Sequence, residues 1–102
     1  MDEWLVLVNP QAGKGRHAEA RTRRALATHG IRAEVHAPLG TQEMRAAVDK
    51  GVVEGRTKFA AVGGDGTANL VADQLLSHTW MSLPVLGLIP GGSGSDLARS
   101  FD

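Results

Sequence analysis

Three short glycine clusters carry most of the chemistry that this sequence could perform: Gly13 with Gly15, Gly63 with Gly64 and Gly66, and Gly91 with Gly92 and Gly94. A glycine loop brings backbone N–H groups close to a ligand with no Cβ in the way. Where such a loop opens a helix, the first-turn N–H groups have no intrahelical acceptor and the positive end of the dipole adds to them, so an anion can be held there. Three such loops meeting at one place would suit a polyanion, most simply the phosphate chain of a nucleotide. Whether they meet depends on the elements around them.

Each cluster follows a strand and precedes a helix. Trp4–Val8 is an unbroken apolar run ended by Asn9-Pro10, which suits a strand covered on both faces. Residues 16–29 read as a helix, polar along Arg16, Glu19 and Arg23 and stopped by Gly30. A weaker strand is expected over 31–36. From Thr41, the expected N-cap, Met44, Ala47, Val48 and Val52 follow helical spacing, and Gly55 closes that helix. Residues 58–62 form a third strand that runs into Gly63-Gly64-Asp65-Gly66. Thr67 is expected to open a helix with the stripe Ala68, Val71, Ala72, Leu75 and Leu76. Pro84 introduces a fourth strand over 85–89, and Ser95 caps a last helical start. This alternation predicts an α/β fold: a Rossmann-like open, mostly parallel sheet of about four strands with helices on both faces. Parallel strands aim their carboxyl ends at one edge, so all three glycine loops fall on the edge where open α/β sheets bind ligands.

Composition narrows the function classes. Without cysteine there are neither disulfides nor thiolate metal sites, and His17, His29, His36 and His78 lack paired ligand spacing. No run approaches the ~18 apolar residues of a membrane span. The acidic start, Met1-Asp2-Glu3, is unlike a secretory signal, so a cytoplasmic location is expected. Net charge is zero, so no overall field favours nucleic acid. Between Lys14 and Arg32, however, Lys14, Arg16, Arg21, Arg23, Arg24 and Arg32 are opposed only by Glu19, either as a solvated face or as an anion-facing end. The common phosphate motifs fail. Val8 stands where a Walker A loop needs its first glycine, and Asn69 where a dinucleotide fingerprint after Gly64 and Gly66 needs its third.

Asn9-Pro10-Gln-Ala-Gly13-Lys-Gly15-Arg16 resembles the N-P-x-[AS]-G-x-G opening of the diacylglycerol kinase catalytic family, which includes sphingosine and ceramide kinases and bacterial lipid kinases. Gly63-Gly-Asp-Gly-Thr-Ala-Asn69 is similar to its G-G-D-G-T-x-N motif. Leu86 to Arg99 is similar to its G-x-I-P-x-G-T-G-N-D-x-A-R stretch. The resemblance implies ATP-dependent phosphorylation of a lipid hydroxyl such as that of diacylglycerol, with Mg²⁺. It also implies that residues 1–102 are the N-terminal nucleotide-binding part of a two-domain enzyme whose second, β-rich domain carries the lipid pocket. By that resemblance, nucleotide contacts carry over to Asn9, Gly13, Gly63, Gly64, Asp65, Gly66, Thr67, Asn69 and Ser93, with Lys14 and Gly15 in the first loop. Asp65 matches the Asp proposed as the base in the sphingosine kinase branch and is the expected catalytic carboxylate. Metal ligands stay unassigned.

Expected partners are therefore a nucleotide and a lipid held through the second domain, with peripheral membrane contact an open expectation and no nucleic acid. The 102 residues alone are expected to be inactive. Several positions depart from the family pattern. Ser93 replaces Thr, Ser95 replaces Asn, and Ala37-Pro38 lacks a threonine often found after the second strand. Leu70 stands where many members have Glu. It lies off the Ala68/Val71/Leu75 stripe, so it faces either a second domain or solvent. A non-catalytic nucleotide-binding module, and an NAD kinase-like phosphotransferase sharing Gly63 to Thr67, remain the alternatives.

Overall fold

The computed structural model describes residues 3–10 and 17–90. Four strands, β1 (Trp4–Val8), β2 (Ala33–His36), β3 (Lys58–Gly63) and β4 (Val85–Pro90), alternate with three helices, α1 (Ala18–Thr28), α2 (Thr41–Val53) and α3 (Asp65–Leu76). The helical start expected after Ser95 lies outside the described residues. All strand pairs are parallel, in the order β2-β1-β3-β4. The chain thus steps from β1 to β2 on one side, then crosses back over β1 to β3 and β4 on the other. Crossovers of a single hand must then put α1 on one face and α2 and α3 on the opposite face.

Two core layers show this division. Val6, Val8, Ala60, Val62 and Ile89 meet Ala18 and Leu26 of α1, while Leu5, Leu7, Phe59 and Ala61 meet Met44 and Val48 of α2 and Val71 and Leu75 of α3. β1 is buried on both faces, as its unbroken apolar run requires. Among the described residues β4 lies at the edge of the sheet, with Val85 and Leu88 half exposed.

Three boundaries and one helical stripe differ from the sequence expectations. β2 starts at Ala33 because the Ile31 amide is committed to the Leu26 carbonyl (2.9 Å), closing α1 over Gly30. The N-cap of α2 is Gly40, not Thr41, which is the first helical residue. Helix α3 begins at Asp65, two residues before Thr67, since extended Gly64 already serves as N-cap and the Ala68 amide bonds the Gly64 carbonyl (3.1 Å). The buried stripe of α3 is therefore Thr67, Val71 and Leu75, and Leu76 points to solvent.

Polar contacts brace the layers. At the amino edge, the Arg56 guanidinium is almost fully buried among Glu3 (3.6 Å), Glu34 and Glu54 (3.2 Å), tying the start of β1, β2 and the end of α2 together. The hydrogen bond from the His36 ring, then the Arg56 charge, hold the Glu34 carboxyl below its ordinary 4.5 against partial desolvation. Between α2 and α3, Gln74 and His78 each donate to Asp49 at 2.7 Å and Arg45 donates to Gln74 at 3.0 Å. The Gln74 and His78 bonds lower the Asp49 pKa. On α1, Glu19 pairs with Arg23 at 2.8 Å, and Arg23 also donates to the Val35 carbonyl.

Candidate functional site

The order β2-β1-β3 makes the gap between the carboxyl ends of β1 and β3 the topological switch point, where loops diverge to opposite faces and leave a crevice. The crevice is built first by backbone. Asn9 follows β1 and its amide bonds the Val62 carbonyl at 2.9 Å, which extends the pairing with β3. β3 then turns through Gly63 and Gly64 directly into α3.

A side-chain latch locks the two ends together. Asn9 Nδ2 donates to Thr67 Oγ1 at 3.0 Å, across 58 residues of chain. Thr67 is 6% exposed. It lies against Gly63, where an added Cβ would come within 2.6 Å of Thr67 Oγ1 and 3.0 Å of Thr67 Cβ. Gly63 thus makes room for the threonine as much as it shapes the turn.

Above the latch opens a cleft of ≈ 520 Å³. Asn9, Gly64, Gly66 and Thr67 line its polar side, and Pro38, Leu39, Met44 and Leu70 form most of its apolar side. Its volume lies within the usual range for small-molecule sites. Two helix N-termini reach it, at Gly40-Thr41 and at Gly64-Gly66, and neither N-cap makes a side-chain hydrogen bond. An N-terminus with no other anion beside it keeps its first-turn amides available, as an anion site requires. At α2 the Glu43 carboxylate folds back beside Gly40, so α2 already has its anion. At α3 the glycines stand open, with nothing within 4 Å of a Cβ added at Gly64 or Gly66.

Of the residues expected from the sequence, Asn9, Gly64, Gly66 and Thr67 come together at the cleft, with Gly63 beneath them. Asp65 and Asn69 are exposed and are not among its lining residues. Asp65 sits in the first turn of α3, not in a loop as expected. Gly13, Lys14, Gly15, Arg16 and Ser93 lie outside the described residues. Among the described residues, no group of three or more His, Asp or Glu side chains could hold a metal. Sequence reasoning did not include Pro38, Leu39, Gly40, Thr41 and Met44 in the site. The signal was available, because β2 is parallel to β1 and its exit loop must reach the same edge. Leu70 faces the cleft and packs on the α2/α3 core.

Comparison with known proteins agrees with this fold. A "Probable lipid kinase YegS-like" of Chromohalobacter salexigens is 31% identical over 99 residues, 95% of this chain and 30% of that protein. Its namesake from Xanthomonas euvesicatoria pv. vesicatoria is 32% identical over 102 residues, covering 95% of this chain and 32% of that protein. The chain thus spans about a third of the length of these relatives. Among solved structures, "A putative diacylglycerol kinase from Bacillus anthracis str. Sterne" superposes with a TM-score of 0.71 at 22% identity, over 89% of this chain and 33% of that one, a likeness of fold. The diacylglycerol kinase catalytic domain matches residues 3–102. With a four-stranded parallel α/β sheet and its glycine turn at the switch point, this chain belongs to the diacylglycerol kinase catalytic domain family.

Proposed function

We propose that the chain is the nucleotide-binding part of an ATP-dependent lipid kinase, which transfers the γ-phosphoryl group of ATP to a lipid hydroxyl such as that of diacylglycerol. The observation that carries this reading is the open, glycine-lined N-terminus of α3 at the switch-point cleft, fixed to β1 by the Asn9–Thr67 bond. In this reading the phosphates lie against the first-turn amides of α3, with Gly64 and Gly66 allowing their approach. Gly13, Lys14, Gly15 and Ser93 would contact the same phosphate chain from the other two glycine loops.

Phosphoryl transfer asks a protein mainly for alignment and for stabilisation of charge on the phosphoryl oxygens. Asp65, exposed in the first turn of α3 between the cleft residues Gly64 and Gly66, is the group proposed to accept the proton of the attacking hydroxyl or to hold Mg²⁺. Mg²⁺ commonly takes one or two carboxylates, water and substrate phosphates, so a single Asp suits it. When bound, the ion neutralises phosphate charge. The lipid would be held by a second, β-rich domain, with peripheral membrane contact there and the whole enzyme in the cytoplasm, so the 102 residues alone are expected to bind nucleotide without turnover.

Titration of the isotopically labelled chain with MgATP or MgADP tests the reading. The amides of Asn9 and of residues 64–67 should move together with those of the other two glycine loops. Millimolar nucleotide that moves none of them would overturn it, and so would turnover of NAD, but not of a diacylglycerol, by a full-length enzyme containing this chain.

A further inference from the structure

The cleft has two unlike halves, and the phosphate reading uses only one. Its polar half lies at the start of α3. Its apolar half is Leu70, Met44, Leu39 and Pro38, contributed by α3, α2 and the loop between β2 and α2. Met44 is 4% exposed and forms part of the floor, Leu70 is half-buried, and Leu39, at the lip, is 79% exposed. Leu70 lies six residues beyond the N-cap Gly64, about 9 Å along the helix axis at 1.5 Å per residue. Side chains on a helix lean toward its N-terminus, so Leu70 covers the turn between itself and the phosphate end.

Resting on the nucleotide reading, we propose that Leu70, with Leu39 and Met44, seats the base of the bound nucleotide and makes Leu70 a specificity-determining residue of this chain. Three observations select a base as the occupant. The polar and apolar halves share one ≈ 520 Å³ volume, so one compact molecule with an anionic end and an apolar body fills it, whereas a pair of acyl chains is far larger. A flat ring gains from a thioether beneath it and a leucine against its face. The α2 end of the cleft already carries the Glu43 carboxylate, which turns phosphates away from that half and leaves it to the neutral part of the ligand.

The test is calorimetric titration of the 102-residue chain with ATP and with inorganic tripolyphosphate, for wild type, Leu70→Asn and Leu39→Ser. Both changes are neutral, so they leave the phosphate half electrostatically unaltered, and Leu39 is exposed enough that its variant folds. Wild type should bind ATP about tenfold or more tighter than tripolyphosphate, the scale of a buried apolar contact. Leu70→Asn should lose most of that advantage and Leu39→Ser part of it, with tripolyphosphate affinity unchanged in both. Equal wild-type affinities for the two ligands would overturn the seat while leaving phosphate binding intact. ATP affinity unmoved in both variants, or lost in parallel with tripolyphosphate, would overturn it while leaving the nucleotide reading intact. A short-chain diacylglycerol that competes with ATP and weakens in both variants would assign the wall to lipid, against the proposal. Failure of wild type to bind either probe would overturn both readings.

Discussion

The Asn9–Thr67 bond should be measurable as a coupling energy in a double-mutant cycle on the folded chain. The bond is 3.0 Å long, its acceptor residue is 6% exposed, and it joins the end of β1 to the first turn of α3. A neutral intramolecular hydrogen bond of this kind contributes a net ~0.5–1.5 kcal/mol. Thr67→Ala should therefore cost about 1–2 kcal/mol, the bond plus a small cavity beside Gly63. Thr67→Val should cost as much or more, because a methyl would then face a donor that had a partner. Thr67→Ser keeps Oγ1 and should lie closest to wild type. Asn9→Ala removes other interactions of Asn9 as well, but these cancel in the cycle, which isolates the pair. Urea unfolding of wild type, Asn9→Ala, Thr67→Ala and the double variant should give a coupling of about 0.5–1.5 kcal/mol. In thermal unfolding a loss of 1 kcal/mol should appear as roughly 4–8 °C at this chain length. Additivity within about 0.3 kcal/mol would refute the latch and return Thr67 to the role of a direct ligand.

Three further outcomes follow from other parts of the fold. Gly51→Ala should lower the melting temperature even though alanine favours a helix by ~1 kcal/mol, because its Cβ would come within 2.6 Å of Leu5 Cδ2 and 3.0 Å of Phe59 Cε1, both in the packed core; a rise in thermal unfolding would show that α2 moves off the sheet at little cost. Glu34 and Asp49 have folded pKa values below their ordinary 4.5 and 3.8, so the stability they confer is present above those values and is lost as pH falls through the lower, folded ones. Urea unfolding at pH 7 and pH 3 should show a smaller acid loss in Glu34→Gln and Asp49→Asn than in wild type, and parallel curves would exclude both groups as the cause. Asp65→Asn should change stability by less than about 1 kcal/mol, since an exposed first-turn acid contributes only its dipole interaction, yet it should abolish most phosphotransfer in a full-length enzyme; equal losses in unfolding and activity assays would leave Asp65 a purely structural cap.

The parts of the fold legible in the sequence were those in which one residue type answers one local demand. The runs Leu5–Val8 and Phe59–Val62 could be buried only on both faces, and Gly55, at φ +86°, closes α2 as expected. Parallel strands then aimed their carboxyl ends, and with them the Gly63–Gly66 turn, at a single edge. Less legible was the start of α3. Two glycines flanking Asp65 read as a loop by propensity, whereas extended Gly64 caps the helix and spends Asp65 and Gly66 inside it. The Asn9–Thr67 bond was hidden for another reason, because each residue alone suits a ligand contact and only the register of β1 against β3 brings them together. Met44 was missed because its part in the cleft depends on how α2 lies beside α3. That placement is set by Val48, Val71 and the Asp49–Gln74–His78 bonds, not by anything near the glycines.

The helical phase of α3 shows how, under the proposed function, a motif of seven residues would hold a phosphate and a reacting group beside the latch. At 100° per residue, positions four apart fall on one stripe. Thr67, Val71 and Leu75 make the buried stripe, Gly66 and Leu70 the stripe lining the cleft, and Asp65 and Asn69 the exposed one. Residues 65, 66 and 67 succeed one another around the axis, so the cleft stripe lies between the buried and the exposed stripes. A nucleotide seated over Gly66 and Leu70 would thus have the latch on its inner side and the Asp65 carboxylate on its outer side. An acceptor hydroxyl arriving from beyond the rim would meet Asp65 before the phosphate, the order of encounter that the proposed transfer requires. Had α3 begun at Thr67, Asp65 and Gly66 would not share this phase, and the carboxylate's place at the rim would be left to a loop. Starting the helix two residues early fixes it on a rigid element, braced to β1 through Thr67 and Asn9.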